Sequence, residues 1–381
     1  MSVRHYLDFA SSAPLRPEAR ETMSEWIDHG IFADPSRPHY EGQIVRELIE
    51  NSRDKIAAFL HVQAREVIFT SSGTEAANTA SRYARAASPR TAPIVFADVE
   101  HSSVRLSSER YGPVKVISVD ELGRIATEEL EAMLSDAKLA RPSLVHCQFA
   151  NHEVGTRQPV EHVVSLCHTY GVAVHIDACA AIGQMPIDLA SVDADLVSVS
   201  AHKFGGPSGI GALIVKRGTR ISPLILGADE ERGRRAGMEN VFGILGFAAV
   251  AEALTSQGAL ELAALSSRKA TERLLSAATS VEGVVAYGDT SERIPNIICL
   301  GVSGVEAEGV VLGLDQAGIA VHSGSACSAE AIEPSPVLAA MGVDADRSLR
   351  CSVGWSTTPS DIEAFEKCFP GVVSSLRALS R

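Results

Sequence analysis

Asp195-Leu196-Val197-Ser198-Val199-Ser200-Ala201-His202-Lys203-Phe204-Gly205-Gly206-Pro207 reads as a short apolar strand, a lysine at its carboxyl end, and a glycine-rich turn. α/β folds keep their ligands at the carboxyl ends of buried strands. Lysine is also the side chain that forms Schiff bases once burial lowers its pKa. Taken alone, Lys203 is equally an ordinary exposed loop lysine, so its neighbours along the chain must decide. Working outward, further apolar strands are predicted at Glu66–Thr70, Ile94–Asp98, Val114–Val119, Ser143–Phe149, Ala173–Asp177 and Ala212–Val215. Helical stretches such as Glu75–Ala87, Thr127–Ala140 and Val160–Tyr170 lie between several of them. This alternation predicts an α/β fold with a mostly parallel seven-stranded sheet covered on both faces.

The chain has 381 residues, more than one core usually supports, which predicts two domains. The larger is expected over residues 15–255. The smaller, α+β in character, is expected from residues 1–14 and 256–381. It would contain helices at Leu260–Ala278, Ser335–Ala340 and Ser360–Leu376, with strands near Asn296–Gly301, Ile319–His322 and Arg350–Val353. Hydrophobic residues at 45% and charged residues at 21% fit a globular enzyme and exclude a disordered chain. A formal charge of −13 argues against direct nucleic-acid binding. No apolar run approaches the ~18 residues that span a bilayer, so no membrane contact is expected. The first residues lack an apolar signal core, and the seven scattered cysteines include no C-x-x-C pair, which together predict a cytoplasmic protein with reduced thiols.

Ile68-Phe69-Thr70-Ser71-Ser72-Gly73-Thr74-Glu75 reads as strand, small-residue turn and helix start, a candidate anion site at Gly73 and Thr74. Many strand–turn–helix joints look the same. Asp177 ends an apolar strand, where it either pairs with an arginine, caps the next helix, or faces a protonated ring nitrogen. An Asp on a pyridinium nitrogen and a Lys on the aldehyde are the fixed points of a pyridoxal phosphate site, and Asp177 and Lys203 can reach one sheet edge. His101 ends another strand there, as a satisfied polar residue or as a ring that stacks on an aromatic cofactor and relays protons. Cys327 lies among Ser, Gly and Ala, an accessible thiol or simply a small loop residue. Arg350 opens a strand, on the surface or holding a substrate carboxylate through two parallel hydrogen bonds.

Together these residues resemble the NifS-like cysteine desulfurases of the class V aminotransferase group, nearly throughout, from Tyr6-Leu7-Asp8-Phe9-Ala10 to Arg350. The most specific pieces are Ser200-Ala201-His202-Lys203, His322-Ser323-Gly324-Ser325-Ala326-Cys327 and Glu333-Pro334-Ser335, the Ser-Gly-Ser-Ala-Cys run being like the long-loop branch. The resemblance implies a homodimer of fold-type-I architecture with pyridoxal phosphate joined to Lys203. Asp177 would pair with the ring nitrogen and His101 would stack on the ring. Gly73, Thr74, Ser200 and His202 would hold the phosphate, and Arg350 the substrate carboxylate. L-Cysteine would become L-alanine, and Cys327 would carry the sulfur as a persulfide to an acceptor protein. Iron–sulfur assembly, tRNA thiolation and DNA phosphorothioation all draw on such enzymes, and no residue selects among them.

Several positions depart from the family pattern. The usual Asn-Asn-Glu is Asn151-His152-Glu153, and the usual Asp-Ala-Thr-Gln is Asp177-Ala178-Cys179-Ala180. These changes read as linked: Ala180 opens space, and His152 supplies the hydrogen bond to the cofactor's phenolic oxygen. Asp34 replaces an asparagine that helps seat the substrate carboxylate, so it must turn away or pair with Arg37 or Arg350. Met238 replaces a threonine that reaches the partner subunit's phosphate, a bond methionine cannot donate. Two other readings stay open at this level: another class V aminotransferase or lyase with no use for Cys327, and a non-catalytic sulfur-carrier scaffold. The basic run Arg232-Gly233-Arg234-Arg235 reads as a solvated cluster, a dimer contact, or a dock for an acidic partner.

Overall fold

A computed structural model describes residues 4–87, 89, 91–256, 258–323 and 334–379. The segment 324–333, with Cys327, lies outside them.

Two-residue strand β1 (His5–Tyr6) begins the chain and is followed by the strands of the main sheet. These are β2 (Val67–Thr70), β3 (Ile94–Ala97), β4 (Val114–Ile117), β5 (Leu144–Gln148), β6 (Val174–Asp177), β7 (Leu196–Ser200) and β8 (Gly211–Val215). Their spatial order is β2-β8-β7-β6-β5-β3-β4. β8 runs antiparallel to both of its neighbours, and the other pairings are parallel. The expected seven-stranded, mostly parallel sheet is therefore present. Every residue of β5, β7 and β8 is buried; β8 reads as an unbroken apolar run, while buried His146 and Gln148 in β5 and Ser198 and Ser200 in β7 interrupt the other two. Register sets Gln148 beside Asp177 and Asp177 beside Ser198, so β5, β6 and β7 end together on one edge.

Two helices absent from the sequence reading, Pro17–His29 and Tyr40–Leu60, pack against the apolar helix Val241–Thr255. That last helix is buried around most of its circumference, as its composition requires. The helix expected over Thr127–Ala140 stops at Ser135, because the Asp136 carboxylate accepts from Lys138 N and turns the chain.

Beyond residue 255 the chain forms β9 (Val284–Tyr287), β10 (Ile297–Val302), β11 (Ile319–Ala320), β12 (His322–Ser323) and β13 (Ser348–Ser352). The antiparallel order is β12-β13-β10-β9, and β11 pairs separately with β1. The single strand expected over Ile319–His322 thus serves two sheets. Helices Ala259–Thr279, Ala307–Gln316 and Pro359–Leu379 cover this part, with Phe365 and Phe369 stacked at 4.9 Å. Leu7 packs in the same core as Leu300, Leu349 and Phe365. No single helix among the described residues is long and apolar enough to cross a membrane.

Candidate active site

The chain leaves β7 through a tight turn, Ala201–Lys203, and doubles back at Gly205. Gly205 has φ 95°, and a Cβ there would meet Arg16 Cγ at 2.5 Å, so glycine alone lets the turn close. Lys203 Nζ donates to the carbonyls of Ala10 (2.6 Å) and Ser11 (3.1 Å). Burial lowers its pKa, and the Arg350 charge lowers it further, against Cys179, Asp177 and Asp8. His202 sits 3.3 Å from Ser12 Oγ, and burial plus the Lys203 charge push it down to about 4.

Asp177 ends β6, and its Oδ1 accepts from Cys179 N at 3.0 Å. Behind it lies Glu100, a buried carboxyl that the sequence reading missed. Glu100 Oε1 accepts from Gln148 N at 2.7 Å, while Oε2 finds no partner among the described residues. Burial and the Asp177 charge push Glu100 up to about 8.

His101 caps the helix Ser102–Tyr111, its Nδ1 accepting from Ser103 N at 3.1 Å. The neutral ring therefore carries its proton on Nε2. His101 is exposed at its rim, yet surrounding protein desolvates it enough to lower its pKa, Asp177 opposing and Lys203 adding. His152 meets it edge to face, with ring centroids 5.1 Å apart. Burial first, and then the nearby titratable groups His101, Arg350, Lys203 and His322, hold His152 well below the usual histidine range, so it is neutral at pH 7.

Gly73 opens the helix Gly73–Ala87, whose first amides have no intrahelical acceptor. A Cβ on Gly73 would lie 2.4 Å from Cys179 Sγ and 3.4 Å from Ser200 Cβ, so Gly73, Cys179 and Ser200 wall one cradle. Thr74 stands exposed on the same first turn. Arg350, on β13, is buried and donates to His152 O, Asp8 Oδ1 and Ser11 Oγ.

Lys203, Asp177, His101, His152 and Arg350 are thus brought into one electrostatic neighbourhood, with Gly73, Ser200 and His202 at its side. Glu100, Asp8, Ser11, Cys179 and His322 belong to it as well, and the sequence reading had given them no role. Asp8, Cys179 and His322 fall within motifs quoted for other residues, whereas Glu100 and Ser11 carry no such signal. Asp34 is turned away and pairs with Arg37 at 2.9 Å, not with Arg350. The basic run is spent within the chain: Arg232 on Glu50, Arg234 on the Arg65 carbonyl, Arg235 on Glu75.

The class V aminotransferase family pattern matches residues 5–365. A cysteine desulfurase of Cereibacter sphaeroides is 38% identical, the alignment covering 99% of this chain and 97% of the relative. The chain belongs to the cysteine desulfurases. The desulfurase IscS of Dictyoglomus turgidum is 35% identical over 98% of this chain and 96% of its own. The solved NifS-like protein of Rickettsia africae superposes with a TM-score of 0.88 at 29% identity, covering 97% of this chain and 99% of that one. This desulfurase is accordingly a pyridoxal-phosphate enzyme that acts on L-cysteine. Its residues fit that cofactor: a cradle walled by Gly73 at a helix N-terminus suits a phosphate, and Asp177 and a pKa-lowered Lys203 suit a protonated ring and an aldehyde.

Proposed function

We propose that Lys203 carries pyridoxal phosphate, with Asp177 on the ring nitrogen, His101 over the ring and His152 beside the phenolic oxygen. Gly73, Thr74, Ser200 and His202 hold the phosphate, and Arg350 takes the substrate carboxylate. Bound cofactor supplies the electron sink that makes the Cα–H and Cβ–S bonds of cysteine cleavable.

Lys203 Nζ, once free, has a resting place on the Ala10 and Ser11 carbonyls, and its lowered pKa suits it to take and return the Cα proton. Glu100, neutral at pH 7, adds no second negative charge beside Asp177. The Cys327 thiolate attacks the substrate sulfur; the S–S bond forms as the Cβ–S bond breaks, and Cβ gains a proton. L-Cysteine and an enzyme thiol thereby become L-alanine and an enzyme persulfide, which an acceptor protein consumes.

The same reading places the enzyme in the cytoplasm as a homodimer. Exposed Leu226, Met238 and Phe242, close together in sequence, support a subunit contact. It also divides the chain into a large domain over 15–255 and a small one from 1–14 and 256–381, with Leu7 packed in the second core as support.

The observation that carries the site assignment is the convergence of Asp177 and Lys203 at the ends of β6 and β7, His101 and His152 just beyond β3 and β5, and Arg350 in the middle of β13. Cys327→Ala tests the sulfur step: alanine formation from cysteine should be lost while cysteine still changes the cofactor's absorbance. Full alanine turnover in that variant would remove Cys327 from the mechanism.

A further inference from the structure

The turn Asp8–Ser12 touches both cations of the site. Arg350 is 6% exposed, and its Nη2 donates to Asp8 Oδ1 at 2.9 Å and to Ser11 Oγ at 2.6 Å. Those two bonds account for both protons on that nitrogen. Nη1 donates to His152 O at 2.9 Å, while Nε is buried and finds no partner among the described residues. A carboxylate docks two-pronged on a guanidinium along the Nε–Nη2 edge or the Nη1–Nη2 edge, and Nη2 belongs to both. With Asp8 and Ser11 in place, neither edge is open.

We propose that Asp8 is a resident carboxylate on Arg350 that the substrate's carboxylate displaces, which makes Asp8 a positioning and specificity residue of this site. The proposal rests on the reading of Arg350 as the group that takes the substrate carboxylate. Exchange of one carboxylate for another keeps the buried guanidinium paired before and after the substrate binds. Ser11 Oγ donates to Asp8 Oδ1 at 2.9 Å, so the two leave Nη2 as a unit. The Ser11 and Ala10 carbonyls are also the acceptors of Lys203 Nζ, so movement of the turn is felt at the lysine. A ligand with an amine and no carboxylate cannot make the exchange.

The test is calorimetric binding of L-alanine, which has no thiol to turn over, to the cofactor-loaded enzyme. Asp8→Asn keeps the shape and removes the competing charge, so alanine should bind about tenfold tighter, the worth of one charge-assisted hydrogen bond. Ser11→Ala frees one Nη2 proton and should tighten binding by a smaller factor, which keeps the test open if Asp8→Asn does not fold. Ethylamine, which lacks the carboxylate, should bind both variants as it binds the wild type. Alanine binding that is unchanged or weaker in both variants overturns the exchange, since a merely structural Asp8 loosens Arg350. If Arg350→Ala leaves alanine binding intact, the reading of Arg350 itself fails and the exchange falls with it.

Discussion

Replacing Gly73 by alanine probes the cradle with a single atom. The added Cβ would stand 2.4 Å from Cys179 Sγ, well inside the ordinary contact distance of such atoms. Its other near neighbours, Ser200 Cβ at 3.4 Å and Cys179 Cβ at 3.7 Å, are at or close to normal contact. The whole conflict is therefore with one sulfur. Overpacking of this kind costs about 1–3 kcal/mol, which corresponds to roughly a 5- to 150-fold loss of cofactor affinity if the strain is relieved by opening the cradle. Cys179→Ala removes the sulfur and leaves the 3.7 Å contact, so the double variant Gly73→Ala, Cys179→Ala should regain most of the lost affinity. The assay is the dissociation constant of pyridoxal phosphate for the four proteins of the cycle, read from the bound cofactor's absorbance. If the double variant binds as weakly as Gly73→Ala alone, the sulfur is not the obstacle and the described cradle is wrong.

Two other perturbations follow from buried charge. Arg53 forms a two-pronged pair with Glu231 at 2.7 and 2.8 Å, and Glu231, at φ 49°, also accepts from Phe69 N. Arg53→Ala strands that carboxylate and should lower unfolding free energy by about 3–5 kcal/mol; urea denaturation within about 0.5 kcal/mol of wild type would refute the pair's importance. Glu100 has its pKa raised from 4.5 to about 8, so the folded state holds its proton more tightly than the unfolded chain does. Its contribution is fully present below pH 4.5 and is lost as pH rises through about 8. Glu100→Gln, neutral throughout, should gain thermal stability relative to wild type between pH 5 and 8; melting curves that shift in parallel would show that Glu100 ionises normally.

What the sequence disclosed follows from how local each signal is. β5 and β7 are buried on both faces, so their mostly apolar runs announced them, and Lys203 and Asp177 follow directly from where β7 and β6 stop. Helices Pro17–His29 and Tyr40–Leu60 are amphipathic and rich in charge, and their buried faces became visible only against Val241–Thr255. Asp8 gave no sign of a role because its partner Arg350 is brought to it only by the pairing of Asp8 with Ser352. Glu100 is held neutral by burial and, after that, by Asp177, both set by what packs around it in space and not by its neighbours in sequence. The split of residues 319–323 between β11 and β12 likewise depends on which strands arrive on each side.

The assignment of Lys203 is most directly examined by treating the cofactor-loaded enzyme with borohydride and locating the reduced pyridoxyl group by peptide mass spectrometry. A single adduct is expected, on the peptide that contains Lys203, with the absorbance of the Schiff base lost in step. An adduct on another lysine, or a yellow enzyme that borohydride leaves unlabelled, would contradict it.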